Sequence, residues 1–415
     1  MRFGIHTLDD FFLAGKTVLC RVDINEPMDR ATETLKDITR VEACVPTLRE
    51  LSEKGAKVVI LAHQGSDIEY KNFYTTRPHA KVLTQLLGRE VKFIDDVCGP
   101  AARQAIQDLK NGELLLLDNV RFMAEEQTLF EQRLHLTPEQ QADTIVVRKL
   151  APLADLYVCD AFAAAHRAQP TLCGFEQVLP SAMGRLFEKE YCIISEMLDD
   201  PARPCVFVLG GAKADDAFQI METVLESGAA DLILTGGVVA NVMMAAKGEQ
   251  IGSASMDFLC DKGFGSWIDR QKALLEKYGD RVITPCDVAY LKDGIRQEVR
   301  MGEVPEDAGI LDIGAQTIAE YTRIILKAKT VFVNGPMGVF EQPETEAGTA
   351  AVWNALGETR ALTVLGGGDS ITATAQYKLT DQLSHISTGG GALIRFLSGE
   401  ILPVIRALRN AQQNM

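Results

Sequence analysis

RVEACVPTLRELSEKGAKVVILAHQG, residues 40–65, decides the fold class. Its first part sets Val41, Cys44, Val45, Leu48 and Leu51 at helical spacing, and Gly55 closes the pattern. Its second part, KVVILAHQ (57–64), is a short, nearly unbroken apolar run. Such a run is a strand buried on both faces, with helices as its cover. The same alternation continues along the chain. In the first half the strand stretches are TVLCRVDI (17–24), EVKFIDD (90–96), ELLLLDN (113–119) and DLYVCDAF (155–162). In the second half they are PCVFVLGG (204–211), DLILTGG (231–237), RVITPC (281–286), KTVFVNGP (329–336), RALTVLGGG (360–368) and LSHISTGG (383–390). The expectation is an α/β protein with two doubly wound parallel-sheet domains of similar size. LPSAMGRLFEKEYCIISEML (179–198) reads as a Pro/Gly-marked break followed by a long helix. That places the first domain at 1–180 and the second at 181–392, the latter including this hinge helix. LPVIRALRNAQQNM (402–415) closes the chain as one more helix with a polar end.

A chain of 415 residues with 47% hydrophobic and 24% charged residues is an ordinary globular protein, and its length points to two cores. A net charge of −15 argues against nucleic acid or an anionic membrane as partner, because both require a basic footprint. Any anion site has to be local. The nine cysteines include no CxxC pair and sit mostly in apolar runs, so they read as reduced core thiols. MRFGIHTLDDFF lacks a signal-peptide core, and no apolar stretch approaches the roughly 18 residues of a membrane span. A soluble, cytoplasmic protein is expected.

Ligands of open α/β sheets collect at the carboxyl ends of the strands. Here those ends sort by chemistry. First-half strands finish near Arg21, Asp23 and Asn25, near His63, near Arg121, and near His166 and Arg167, while Arg40 opens the first long helix. Second-half strands finish in GGAK, TGG, NGPMG, GGGDS and STGGG. A lone glycine cluster is more often a turn, and a lone arginine more often a structural ion pair. The sorting of cations into one half and bare backbone into the other is what points to a ligand. Glycine-rich helix starts favour phosphate oxygens. Two commoner phosphate motifs fail: Gly15-Lys16-Thr17 has Asp10 where a Walker A loop needs glycine, and neither GGGDSI nor GGGALI completes a dinucleotide fingerprint. The remaining arrangement is bilobal, with an anionic small substrate on the cationic half, a nucleotide on the glycine half, and a phosphoryl group passing between. A carboxylate acceptor would already be ionised, so no general base is required. A nucleotide-binding regulator and a sugar- or acyl-phosphate kinase are the alternative classes.

RVDINEP, the DxxRxxAxxPTL spacing from Asp37 to Leu48, AHQG, LLDNVRF, DAFAAAHRAQP, GGAK, LTGG, NGPMGVFE, GGGDS and STGGGAL occur in this order. Together they resemble the phosphoglycerate kinase family, with AAAHRAQP and SHISTGGGAL similar to its archaeal branch. The resemblance implies reversible phosphoryl transfer between 1,3-bisphosphoglycerate and ADP, giving 3-phosphoglycerate and ATP with Mg²⁺ in glycolysis or gluconeogenesis. It also implies a cleft closed by a hinge, and a C-terminal segment, here from about 393, that packs back on the first domain. A monomer is expected, with a dimer as the alternative.

Carried over by motif, Asp23, Asn25, Arg40 and His63 hold the glycerate end, Arg121 and Arg167 the far phosphate. Arg21, Gln64, Gly65, Ser66 and His166 complete the substrate set. Lys213 and Arg40 neutralise the moving phosphoryl, and Gly368 and Gly391, with Gly367 and Gly390, offer amides along its path. Asp369 ligates Mg²⁺, Ser370 meets a nucleotide phosphate, and Glu341 accepts from the ribose. Gly211, Ala212, Gly236, Gly237, Pro336 and Val339 wall the adenosine, with Asn334 and Gly366 beside them. There are departures from the family pattern. HxGRP is here His63-Gln64-Gly65-Ser66-Asp67, which removes an arginine and leaves Lys71 as the cation of that loop. The position four residues after Lys213 is Ala217, where many members have lysine, and the GGGDT triplet ends in Ser370.

Overall fold

The structure is a computed structural model that describes residues 1–29, 31–65 and 73–411. The chain divides into two compact units, Met1–Ser195 with Ile401–Met415, and Glu196–Glu400. The sequence expectation put these changes at 180 and 393. Residues on either side of the first change belong to one continuous helix, Arg185–Asp199. The chain returns to the first unit only after the helix Gly391–Leu397, which packs against Ala214–Glu226 of the second unit.

The strands of the first unit are β1 (Thr17–Arg21), β2 (Met28–Asp29), β3 (Thr34–Leu35), β4 (Lys57–Leu61), β5 (Val91–Ile94), β6 (Leu114–Leu117), β7 (Leu156–Cys159) and β8 (Ser181–Met183). Six of them form one sheet in the order β5-β6-β4-β1-β7-β8, and β2 pairs with β3 in a small ribbon. Every pairing in the large sheet is parallel. β1 lies in the interior, Cys20 facing Ile60 on one side and Val158 on the other. Leu114, Leu115, Leu116 and Leu117 of β6 are all buried, which is why the run shows no polar alternation. β8 arises from the Pro/Gly-marked stretch that the sequence reading leaves without a strand.

The second unit carries β9 (Cys205–Leu209), β10 (Leu232–Thr235), β11 (Val282–Ile283), β12 (Asp287–Lys292), β13 (Ile295–Arg300), β14 (Asp312–Ile313), β15 (Thr330–Asn334), β16 (Leu362–Gly366) and β17 (His385–Ile386). Its parallel sheet runs β11-β10-β9-β15-β16-β17, around a core that includes Trp353, Tyr321 and Phe340. A separate antiparallel sheet, β13-β12-β14, has no counterpart in the sequence reading. Its signal was present: Asp293-Gly294, both at positive φ, join β12 to β13 as a two-residue hairpin turn.

No cysteine of the described residues is in a disulfide, and all but Cys260 and Cys286 are buried, so those two depart from the core-thiol reading. Among the described residues no helix is long and apolar enough to cross a membrane.

Candidate active site

β1 and β4 are neighbours in register, Arg21 opposite Leu61, so the segments leaving their carboxyl ends start side by side. The polar residues of both segments meet there. Asp23 Oδ2 accepts from Arg40 Nη1 at 2.8 Å, and Asp23 Oδ1 accepts from the Asn25 amide. Asn25 Oδ1 accepts from the Gly65 amide at 2.8 Å, and the Gly65 carbonyl accepts from Arg121 Nη1. Thus Arg40, Asp23, Asn25, Gly65 and Arg121 form one connected strand-end cluster. Arg167 leaves the turn after β7 and pairs with Glu131 at 3.5 Å, while Glu131 also accepts from the Ala168 amide. His166 is half-buried on the same turn.

His63 lies at the focus of this cluster. Burial is the first cause that drives its imidazole pKa well below the usual value, followed by the charges of Arg121, Arg21, Arg40 and Arg167. Its ring is therefore neutral, and the positive charge of the site resides on the arginines. A local field of this sign is what an acidic chain needs to receive an anion.

Two residues of the predicted substrate set are turned elsewhere. Arg21 is 0% exposed: its guanidinium donates to Thr171 Oγ1, the Val22 carbonyl and His63 Nδ1. Gln64, also fully buried, donates to the Glu26 carbonyl and accepts from the Glu26 amide, and its Oε1 meets His79 Nε2 at 3.0 Å. Both serve the architecture behind the site. Ser66 and Lys71 lie outside the described residues. Sequence reasoning assigned nothing to Asn119, whose Oδ1 accepts from the Gln64 and Arg121 amides, nor to the buried Glu126.

In the second unit the glycine ends enclose two adjoining cavities. The larger, about 460 Å³, brings together Gly211, Ala212, Gly237, Pro336, Val339 and Glu341 of the motif-derived nucleotide set. Ser255, Phe258, Ile310 and Leu311 complete it without any motif to announce them. Asn241, 6% exposed, also lines it. The smaller, about 280 Å³, is lined by Lys213, Asn334, Gly367, Gly368, Asp369, Ser370, Gly390 and Gly391. Gly211, Ala212 and Asp369 border both. An apolar chamber beside a smaller polar one suits a base and its phosphates.

The chemistry of the smaller cavity is local. Lys213 is exposed at the start of the helix Ala214–Glu226. Asp216 faces the same space, where burial pushes its carboxyl up and Lys213 opposes the shift. A Cβ added at Gly368 or Gly391 would meet no protein atom within 4 Å. Packing does not demand glycine at either position, and the backbone of both lines the cavity. Ser370 Oγ accepts from the Gly335 amide at 2.7 Å. Gly236 and Gly366 differ from expectation: both are buried and line neither cavity, Gly236 against Met337 and Gly366 against Leu393. At Gly236 the Met337 backbone and thioether leave no room for a side chain, whereas at Gly366 a Cβ would press on a methyl group of Leu393.

The model of the phosphoglycerate kinase family matches residues 8–400. The chain belongs to the phosphoglycerate kinase family. It is 44% identical over 410 residues to the phosphoglycerate kinase of Methanothermobacter thermautotrophicus, covering 99% of this chain and 98% of that one. Among solved structures, phosphoglycerate kinase from Pyrococcus horikoshii OT3 superposes with a TM-score of 0.85 at 40% identity, covering 99% of this chain and 100% of the other. The enzyme from Coxiella burnetii gives 0.83 at 29% identity, with 98% and 99% covered. Membership makes the chain a phosphotransferase with a carboxyl acceptor, acting on 3-phosphoglycerate and ATP or their products in glycolysis. Ala217, where many phosphoglycerate kinases carry lysine, is fully buried on the core side of its helix. Lys213 is thus the cation that this helix start presents to the cavity.

Proposed function

We propose that the first unit holds 3-phosphoglycerate and the second holds MgATP or MgADP, with transfer by charge neutralisation alone. The observation that supports this is one buried histidine, His63, held neutral by burial and by the charges of Arg121, Arg21, Arg40 and Arg167. Arg121 and Arg167 take the substrate's phosphate, while His63, Asn25 and Asp23 take its glycerate end. Arg40, aimed by its ion pair to Asp23, lies at the carboxylate.

A carboxylate oxygen attacks the γ-phosphorus as the bond to the ADP oxygen breaks. The acceptor starts ionised and the leaving ADP takes its electron pair, so no protein base is needed. Lys213 follows the moving phosphoryl as a point charge, and the amides of Gly368 and Gly391 stabilise its oxygens. Among the described residues no three carboxylate, histidine or cysteine groups form a metal cage. Magnesium needs none, because one or two carboxylates suffice and phosphate oxygens with water complete its shell. Asp369, exposed and bordering both cavities, would hold Mg²⁺, which when bound supplies charge neutralisation to the nucleotide phosphates. A cytoplasmic monomer is the accompanying proposal, with a dimer as the alternative.

Ligand titration separates the two halves. Arg121→Ala should lose 3-phosphoglycerate affinity and keep ADP affinity. Loss of ADP affinity alone would overturn the assignment of the units.

A further inference from the structure

Behind His63 runs a buried polar chain in which Arg21 is joined by Thr171 and Glu126, two residues outside the motifs. Glu126 Oε2 accepts from Thr171 Oγ1 at 2.8 Å, and Glu126 Oε1 accepts from the Thr171 amide. Thr171 Oγ1 in turn accepts from Arg21 Nε at 3.1 Å, and Arg21 Nη2 meets His63 Nδ1 at 3.0 Å. Glu126, Thr171 and Arg21 are 0% exposed and His63 is 6% exposed. The four come from distant parts of the chain, Thr171 standing 150 residues from Arg21 and Arg21 standing 42 from His63.

The direction of this chain follows from donor chemistry. A guanidinium only donates, so His63 Nδ1 is an acceptor without a proton. An imidazole with a bare Nδ1 is neutral and carries its hydrogen on Nε2. The Thr171 hydroxyl cannot donate back to Arg21, so its proton goes to Glu126 and its lone pair to Arg21. One end of the chain, a carboxylate, thereby fixes the tautomer at the other end. Burial raises the Glu126 carboxyl to about 7, with the Arg21 charge the first influence against it, so the pair face each other in a low-dielectric interior.

We infer that Glu126, Thr171 and Arg21 are positioning residues that hold His63 as the neutral Nε2–H tautomer, so that it offers the anionic substrate one hydrogen-bond donor of fixed direction. This rests on the assignment of His63 to the 3-phosphoglycerate site. It gives Arg21, a member of the predicted substrate set, a different task from ligand contact. The arginines supply the site's charge, and His63 supplies geometry.

The test uses the whole enzyme labelled with ¹⁵N in its imidazoles, with His63 assigned by its loss in His63→Gln. Long-range ¹H–¹⁵N spectra of the wild type at pH 8, above the Glu126 value of about 7, should show His63 as the Nε2–H form. Thr171→Val removes the hydroxyl at constant shape, and Glu126→Gln removes the carboxylate. Both should mix the tautomers and raise the 3-phosphoglycerate KM about 5- to 10-fold, the scale of one misdirected hydrogen bond, with the ATP KM unchanged. Thr171→Ser should restore both readings. Thr171→Val placed on His63→Gln should cost nothing further. A wild-type His63 protonated on Nδ1 overturns the inference without any variant. So does a tautomer that neither Thr171→Val nor Glu126→Gln disturbs. If His63→Gln leaves the 3-phosphoglycerate KM unchanged, the substrate assignment fails, and the spectra still decide the relay.

Discussion

The Ser370 hydroxyl oxygen accepts the Gly335 amide at 2.7 Å, tying the GGGDS turn to the NGPMG turn across the smaller cavity. Ser370 is fully buried and follows Gly367, whose φ is +89°. The amide of Gly335 thus depends on a side chain 35 residues away for its partner. Ser370→Ala leaves that half-buried donor without its acceptor. The expected cost is about 1–3 kcal/mol of stability, read by chemical denaturation, with a several-fold rise in the ATP KM. An unchanged denaturation midpoint and an unchanged ATP KM would show that another acceptor takes over.

Lys213 stands exposed on the lining of the smaller cavity, and the proposed role is a point charge that follows the phosphoryl group. Lys213→Ala should lower kcat by about 10²–10³ while calorimetry still records nucleotide binding. Turnover within about threefold of wild type contradicts its role in transfer.

Glu341 is exposed on the wall of the larger cavity. As the ribose acceptor, its loss in Glu341→Ala should raise the ATP KM by roughly 10-fold, the scale of one charge-assisted hydrogen bond. The 3-phosphoglycerate KM should stay put. A parallel rise in both constants would make Glu341 a structural residue.

Asp160 is fully buried behind β7, and its Oδ1 accepts from the Leu186 and Phe187 amides at the start of the helix Arg185–Asp199. Burial raises its carboxyl from 3.8 to about 7. A raised acid binds its proton more tightly in the folded state, so its contribution to stability is full below about pH 4 and is lost as pH rises towards 7. Glu126, raised to about 7, acts in the same direction. Asp160→Asn keeps an acceptor for the helix amides and removes the titration. Denaturation at pH 5 and pH 8 should show wild type losing more stability than Asp160→Asn over that interval, by an amount on the order of a few kcal/mol. Equal losses would mean that Asp160 does not titrate in this range.

The family relation was legible in the chain because its motifs sit at strand ends, where local backbone geometry and function coincide. Gly368, Gly391, Lys213 and Asp369 face the cavity from the turns in which they stand in the sequence. The strands were legible for a related reason. A run such as LLLL at 114–117 tolerates only a site buried on both faces, so its composition alone names its place.

Tertiary structure decided what lies at the ends of long side chains. Arg21 at a strand end and Arg40 at a helix start look alike as site cations, yet one is sealed against Thr171 and His63 while the other reaches Asp23. Gly236 and Gly367 look alike as turn glycines, yet Met337 packs on the first while the second lines the smaller cavity. Glu126 carries no local mark at all. Sequence period and turn chemistry act over a few residues, and they determined the strands, the helices and the glycine ends. A guanidinium or carboxylate in the interior takes the partner that burial forces on it, and Thr171, the partner of both Glu126 and Arg21, stands 45 and 150 residues from them, brought within reach only by the folded sheet.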